Sequence, residues 1–412
     1  MFKSFASHLE CGEDKIQYAL DRPQDVTYLP GDFPQVRYDL EQLRSSVTKQ
    51  DISNGLSSLW RYAPMLPANQ PQNAVTLSEG WTPLIRTDKL GSLLGCRELY
   101  IKEEGRNPTG SFKDRGASVG ITRYKELGVG TVILNSSGNA GAAWALYAAR
   151  AGINCYDILS QDVLPASLQQ CILAGMPTFI FDGPWQESGK MVKDLVQSYG
   201  WFNASTLREP FRLEGKKTMG YEICEQLGWE LPDVVVYPTG GGLGAIAIFK
   251  AFSELQELGW VDEARVPRLL VTQYEGCSPI VKAFKEGKQR ADTWLNLDVL
   301  PGGLKSATPP GDEMVLKILR ETGGTAISVS TEEALDAVGT FARLEGILPC
   351  PESATTIVGL EKAMNCGEIH KDERVVVIST GSALKSIPNL LPANVKTIQS
   401  HNDIGPYVAH KN

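Results

Sequence analysis

Asp233-Val234-Val235-Val236-Tyr237-Pro238-Thr239-Gly240-Gly241-Gly242-Leu243-Gly244 decides the fold. Its first half is rich in β-branched residues, as a buried strand is. Its second half is a glycine run that opens a helical stretch over 243–258. A strand that turns through glycines into a helix is a piece of a βαβ alternation. The same rhythm recurs outward in both directions. Residues 131–134 read as a buried strand, 139–151 as an alanine-rich helix and 153–159 as a second strand. A helix over 165–174 has proline near its start, followed by a strand over 177–181 and a helix over 185–199. Residues 268–273 and 374–379 are further strands. The pattern predicts an α/β protein with mostly parallel sheets covered by helices on both faces. Ligands of such sheets sit beyond the carboxyl ends of the strands. Both glycine turns, 136–141 and 239–244, fall there.

Chemistry enters at Lys113, within Asn107-Pro108-Thr109-Gly110-Ser111-Phe112-Lys113-Asp114-Arg115-Gly116. Asn-Pro-Thr-Gly is a turn signal, and Ser111 is placed to cap a helix with Lys113 in its first turn. The positive end of the helix dipole lowers a lysine pKa there. That disfavours stability and favours a nucleophilic amine, which forms a Schiff base with an aldehyde. The turn of Thr239, Gly240, Gly241, Gly242, Leu243 and Gly244 offers backbone N–H groups at a helix start, a cradle for phosphate. Its spacing is neither G-x-G-x-x-G nor a Walker lysine loop. A reactive amine plus a phosphate cradle is the protein's half of a pyridoxal 5'-phosphate site.

Other turns have two readings. In Ser136-Ser137-Gly138-Asn139-Ala140-Gly141, hydroxyls and amides suit a carboxylate and Asn139 suits a phenolic oxygen; the alternative is an ordinary helix N-cap. Thr380, in Ser379-Thr380-Gly381-Ser382, brings a hydroxyl to a strand's carboxyl end, where it meets a heterocyclic nitrogen or merely turns the chain. Arg208, Arg212, Lys216 and Lys217 form a basic cluster that either binds an anionic substrate or is a solvated face.

Composition narrows the class. The chain has 412 residues, 42% of them hydrophobic, which suits a globular protein with a sizeable core. A net charge of −8 argues against a nucleic-acid partner. No apolar run is long enough to cross a bilayer, and the start lacks a signal-peptide stretch, so a cytoplasmic protein is expected. The eight cysteines are scattered without a C-x-x-C pair and read as small buried hydrophobes in a reduced compartment. The four histidines, His8, His370, His401 and His410, lie towards the chain ends. A histidine-rich metal site or a Ser-His-Asp triad in the middle is hard to build from them, so proton transfer there falls to another group such as lysine. Residues 1–75 read as an appended segment, with a helical rhythm over 38–59 that puts Leu40, Leu43, Val47 and Ile52 on one face.

Taken together these motifs resemble the threonine synthase family of pyridoxal phosphate enzymes, fold type II. The resemblance runs from about Leu56 to Lys385. It includes Leu59-Trp60-Arg61-Tyr62, Glu79-Gly80-Trp81-Thr82-Pro83-Leu84, the Lys113 stretch and 136–141. It continues through Phe211-Arg212-Leu213-Glu214-Gly215-Lys216-Lys217-Thr218, 238–244, Gln273-Tyr274-Glu275-Gly276-Cys277-Ser278-Pro279 and Thr380-Gly381-Ser382. It implies two parallel-sheet, three-layer domains facing a cleft: a large cofactor-binding domain of 76–120 and 209–392, and a small mobile domain of 121–208. An extension over 1–75 precedes them and a polar tail over 393–412 follows. By the resemblance Lys113 would carry the cofactor, Asn139 would bind its ring oxygen, Gly240 to Gly244 would hold its phosphate and Thr380 would meet its pyridine nitrogen. Ser136, Ser137, Gly138 and Arg212 would face a small amino acid substrate. The implied reaction is β,γ-replacement on O-phospho-L-homoserine, in a homodimer. The alternatives are a serine/threonine dehydratase, an amino-acid β-synthase, or a catalytically silent relative. The chain departs from the family at Ala383-Leu384-Lys385, where Gly-Leu-Lys is frequent, and at 306–312, where a basic residue is missing.

Overall fold

The computed structural model describes residues 3–12, 15–23, 33–183, 185–262 and 264–386. The polar tail expected after Pro392 lies outside them. A six-stranded sheet runs, in spatial order, Thr325–Val329, Arg268–Tyr274, Val234–Pro238, Arg374–Ser379, Glu98–Glu103 and Leu84–Arg86. All neighbours are parallel except the last pair. Val234, Val235 and Val236 pair with Val375, Val376 and Val377 on one side and with Arg268, Leu269 and Leu270 on the other. Almost all of these residues are buried, because helices cover both faces, so the strand reads as a continuous apolar run rather than an alternation. A four-stranded parallel sheet follows the order Thr178–Ile180, Asn154–Leu159, Thr131–Ser136 and Phe202–Asn203.

The helices Asn139–Ala151 and Leu243–Glu257 begin where the sequence places them. The helix expected over 185–199 is a 3-10 turn, Trp185–Glu187, followed by the α-helix Ser188–Tyr199. The rhythm over 38–59 resolves into two short helices, Leu40–Ser46 and Lys49–Ser53. They part because Thr48 starts a new helix through a capping box with Asp51. Leu40, Leu43, Val47 and Ile52 are all buried, as the shared face requires. The first residues also hold an unanticipated antiparallel sheet of Ile16–Tyr18, Ala6–Cys11 and Gln35–Tyr38. Its Leu9 and Val36 pack with Trp144 and Tyr147 under the four-stranded sheet.

The helices Lys113–Glu126 and Phe211–Gln226 touch backbone to backbone. A Cβ on Gly215 would stand 1.9 Å from the Arg115 carbonyl oxygen, and one on Gly116 would stand 3.0 Å from that of Arg212. Glycine is therefore required at this crossing, which sets Lys113 against the helix that carries Arg212 and Lys216.

Candidate active site

Three adjacent strands of the large sheet, Val234–Pro238, Arg374–Ser379 and Glu98–Glu103, run parallel. Their carboxyl ends lead respectively to the 239–244 glycine turn, to Thr380 and to the Lys113 loop. Parallel order alone thus collects three sequence-distant motifs at one edge. Backbone bonds knit two of them together: Phe112 N–H donates to the Thr380 carbonyl at 3.0 Å and Ser382 N–H to the Gly110 carbonyl at 2.9 Å. The expected turn is present, with Gly110 N–H donating to Asn107 O at 2.8 Å and Gly110 at φ +81.

Lys113 is the first residue of its helix. The cap differs from expectation: Phe112 occupies the cap position, and Ser111 Oγ only accepts from Lys113 N–H at 3.4 Å. The lysine Nζ lies 3.8 Å from the centroid of the Phe112 ring and makes no hydrogen bond or ion pair among the described residues. Its pKa is lowered from 10.5 to about 7. Burial is the main cause, and the Arg212 guanidinium adds to it; Glu352 and Cys350 oppose, and Lys385 lowers it further. The direction is the one read from the sequence, but burial and neighbouring cations account for it rather than the helix dipole.

The glycine turn fits a phosphate. The backbone N–H groups of Gly240, Gly241, Gly242, Leu243 and Gly244 find no acceptor among the described residues, an open set of donors at the start of a helix. Protein contacts explain three of its glycines. A Cβ at Gly240 would meet the Gly303 carbonyl oxygen at 1.9 Å, one at Gly244 the Tyr237 hydroxyl at 1.7 Å, and Gly242 has φ +89. Gly241 is different, because its Cβ would find only ordinary contact, Pro310 Cδ at 3.5 Å. Thr239 is held beneath the turn, donating its N–H to Thr272 O at 2.9 Å and accepting from Gln273 Nε2 at 3.0 Å.

In the second turn, Ser136 Oγ accepts from Gly138 N–H and Gly141 N–H, each at 3.0 Å. It therefore acts as an internal cap. Gly138 takes φ +136 to start the helix. Asn139 Oδ1 accepts from Ser167 at 3.2 Å, which leaves its amide N–H groups without a partner among the described residues. The Ser137 hydroxyl is likewise unpartnered among them. At the third turn, Thr380 Oγ1 lies 3.0 Å from Ser353 Oγ and 3.9 Å from Cys350 Sγ, and Thr380 N–H donates to Ser353 Oγ at 2.8 Å.

Arg212 is buried and held by its own chain, with Nε donating to Glu209 at 3.2 Å, Nη1 to Thr206 at 2.9 Å and Nη2 to the Ala204 carbonyl. Its guanidinium lies 4.8 Å from the Trp144 ring. Sequence reasoning passed over Ser353, Cys350, Glu352 and Lys385. Lys385 donates to Thr109 O at 3.1 Å and to Gln170 at 2.7 Å, and burial lowers its pKa to about 8 against the pull of Asp114. Its place in the Ala-Leu-Lys departure was the one signal available.

Comparison with known proteins gives the family and the fold. Residues 75–381 fit the family model described as pyridoxal-phosphate dependent enzyme. The chain is 36% identical over 375 residues to the threonine synthase of Methanocaldococcus jannaschii, covering 91% of this chain and 92% of that one. It is 36% identical over 405 residues to the threonine synthase of Methanosarcina acetivorans, covering 95% and 96%. Among solved structures, maize serine racemase superposes with a TM-score of 0.63 at 19% identity, covering 73% of this chain and 88% of that one. At that identity the likeness concerns the fold.

Proposed function

We propose that this chain, which belongs to the pyridoxal-phosphate dependent enzyme family and within it to the threonine synthase group, converts O-phospho-L-homoserine and water to L-threonine and phosphate. The observation that carries the reading is the amine of Lys113, unpaired among the described residues and lowered to about 7, at the same edge of the sheet as an open row of backbone donors. When bound, pyridoxal phosphate supplies an electron sink for negative charge at the substrate's carbons. The chain supplies the rest. Lys113 would hold the cofactor through its amine, and the same amine would take and return protons at the α, β and γ carbons of the substrate, for which a pKa near working pH is suited. The N–H groups of Gly240 to Gly244 hold the cofactor phosphate, and the free amide of Asn139 meets the ring oxygen. Thr380 offers the pyridine nitrogen a neutral hydroxyl, oriented by Ser353, which leaves the ring less electron-withdrawing than a carboxylate partner would. Ser137, Gly138 and the Ser136-capped turn receive the substrate carboxylate, and Arg212 faces its phosphoryl group.

We further read the protein as a cytoplasmic homodimer. Supporting the location, all eight cysteines are free thiols and seven are buried; no described helix is long and apolar enough to cross a membrane. Sedimentation decides the dimer. The functional reading is tested by supplying O-phospho-L-homoserine alongside a panel of serine-type amino acids. Equimolar threonine and phosphate from the first substrate are expected; turnover confined to the serine panel would overturn it.

A further inference from the structure

We propose that Lys216 is a second amine of this site and that, with Arg212, it forms a subsite for a tetrahedral dianion of the phosphoryl class beside Lys113. The inference rests on the phosphorylated-substrate reading above and names a residue that reading does not use.

The structure separates the four basic residues that the sequence groups together. Arg208 is exposed. Lys217 is closed into ion pairs with Glu214 at 2.7 Å and Glu254 at 2.9 Å. Arg212 is paired with Glu209. Lys216 is only 2% exposed, yet it makes no hydrogen bond and no ion pair among the described residues. Its Nζ lies 4.7 Å from the centroid of the Phe112 ring, the same ring that Lys113 Nζ approaches at 3.8 Å. The Gly116–Gly215 crossing brings this about, since it presses the two helices together one turn from Lys113 and one residue from Lys216. Arg212 lies four residues before Lys216, on the same face of its helix.

A buried amine with no anion is costly when charged. Burial, then repulsion from Lys113 and Arg212, holds the Lys216 pKa well below its usual range, and Glu209 is the one carboxylate opposing. Glu209 already answers Arg212. An entering dianion supplies the missing counter-charge, so Lys216 takes a proton from solvent as the anion binds. A phosphoryl leaving group is such an anion.

The test uses holoenzyme and inorganic sulfate, a tetrahedral dianion that does not itself titrate near neutrality. Calorimetry in two buffers of different ionisation heat reads proton uptake. Uptake is expected for the parent and none for Lys216→Met, which should bind sulfate roughly ten- to hundredfold more weakly. Lys216→Arg should bind sulfate without uptake. Lys216→Met should also melt no lower than the parent, because an unpaired buried amine is removed. Uptake persisting in either variant, parental sulfate affinity in Lys216→Met, or a lower melting point overturns the proposal; if Lys216→Met does not fold, Lys216→Arg alone decides it by its proton uptake. Threonine production alongside such a failure leaves the functional reading standing. The expected sulfate behaviour without threonine from O-phospho-L-homoserine sinks that reading and leaves the subsite.

Discussion

Arg115 and Lys113 stand two residues apart on one helix and are treated in opposite ways. Arg115 is enclosed by Glu104 and Glu222, with Nε donating to Glu104 at 2.6 Å, Nη1 to Glu222 at 2.6 Å, and Nη2 to both carboxylates at 2.7 Å. Lys102 completes the group, donating to Glu222 and to Thr82 O at 2.7 Å and to Gln226 at 2.8 Å. The side chains of all four residues are fully buried. Lys113 and Lys216, nearby, make no ion pair and no hydrogen bond among the described residues. Buried charge that is paired and hydrogen-bonded holds a structure together; a buried amine left unpaired has to be explained by something that arrives later. The network anchors the helix from which Lys113 projects. Trp81 N–H and Thr82 N–H also donate to Glu222, at 2.7 and 3.2 Å, tying the preceding loop to it.

The sharpest way to break this comparison is to remove one member of each class. Lys113→Ala should lower kcat by roughly 10²–10⁴-fold or more, the range of a lost acid–base group, with no loss of melting temperature. A large fall in melting temperature would place Lys113 with the structural set. Glu222→Gln should do the reverse. Breaking a buried pair costs about 3–5 kcal/mol, read by denaturant unfolding, and any activity left should follow the folded fraction. A Glu222→Gln protein of parental stability would contradict the structural role given to the network.

Smaller effects test the cradle. Gly241→Ala meets only ordinary contacts within the protein, so it should fold normally and lose cofactor affinity roughly tenfold, a change on the scale of one hydrogen bond. Cofactor binding equal to the parent would mean that nothing approaches that face of the turn. Gly240→Ala is a poorer probe, since its Cβ collides with Gly303 whether or not a ligand is present.

The pH dependence of the cofactor-free protein tests the unpaired amine without any ligand. The Lys113 pKa is about 7 when folded, against 10.5 ordinarily. Between those values the unfolded chain binds the extra proton, so the contribution of Lys113 to stability rises with pH across the window and is least favourable below about 7. Lys113→Met should flatten that part of the stability profile. An unchanged slope would mean that Lys113 titrates normally.

What the sequence disclosed follows the same division. The strand–glycine–helix pattern at 233–244 and the Lys113 turn rest on local rules, and both elements form where read, the helix starting at Leu243. Parallel order then brings Lys113, the glycine turn and Thr380 to neighbouring strand ends, as alternation implies. Which lysine of the pair Lys216–Lys217 is paired was not legible. Adjacent helical residues point about 100° apart, and the difference depends on Glu254 of a neighbouring helix. Ser353 was equally hidden, since it reaches Thr380 only through tertiary packing. The sheet formed by the first residues escaped notice because two of its three strands are short, with three residues at 16–18 and four at 35–38.

Reductive trapping with borohydride, followed by peptide mapping of the holoprotein, tests the central claim most directly. It fixes the cofactor to whichever lysine holds it. The label is expected on Lys113, the unpaired amine at the strand ends. A label on Lys102 or Lys217, both closed into ion pairs, with Lys113→Ala still fully active, would contradict the account.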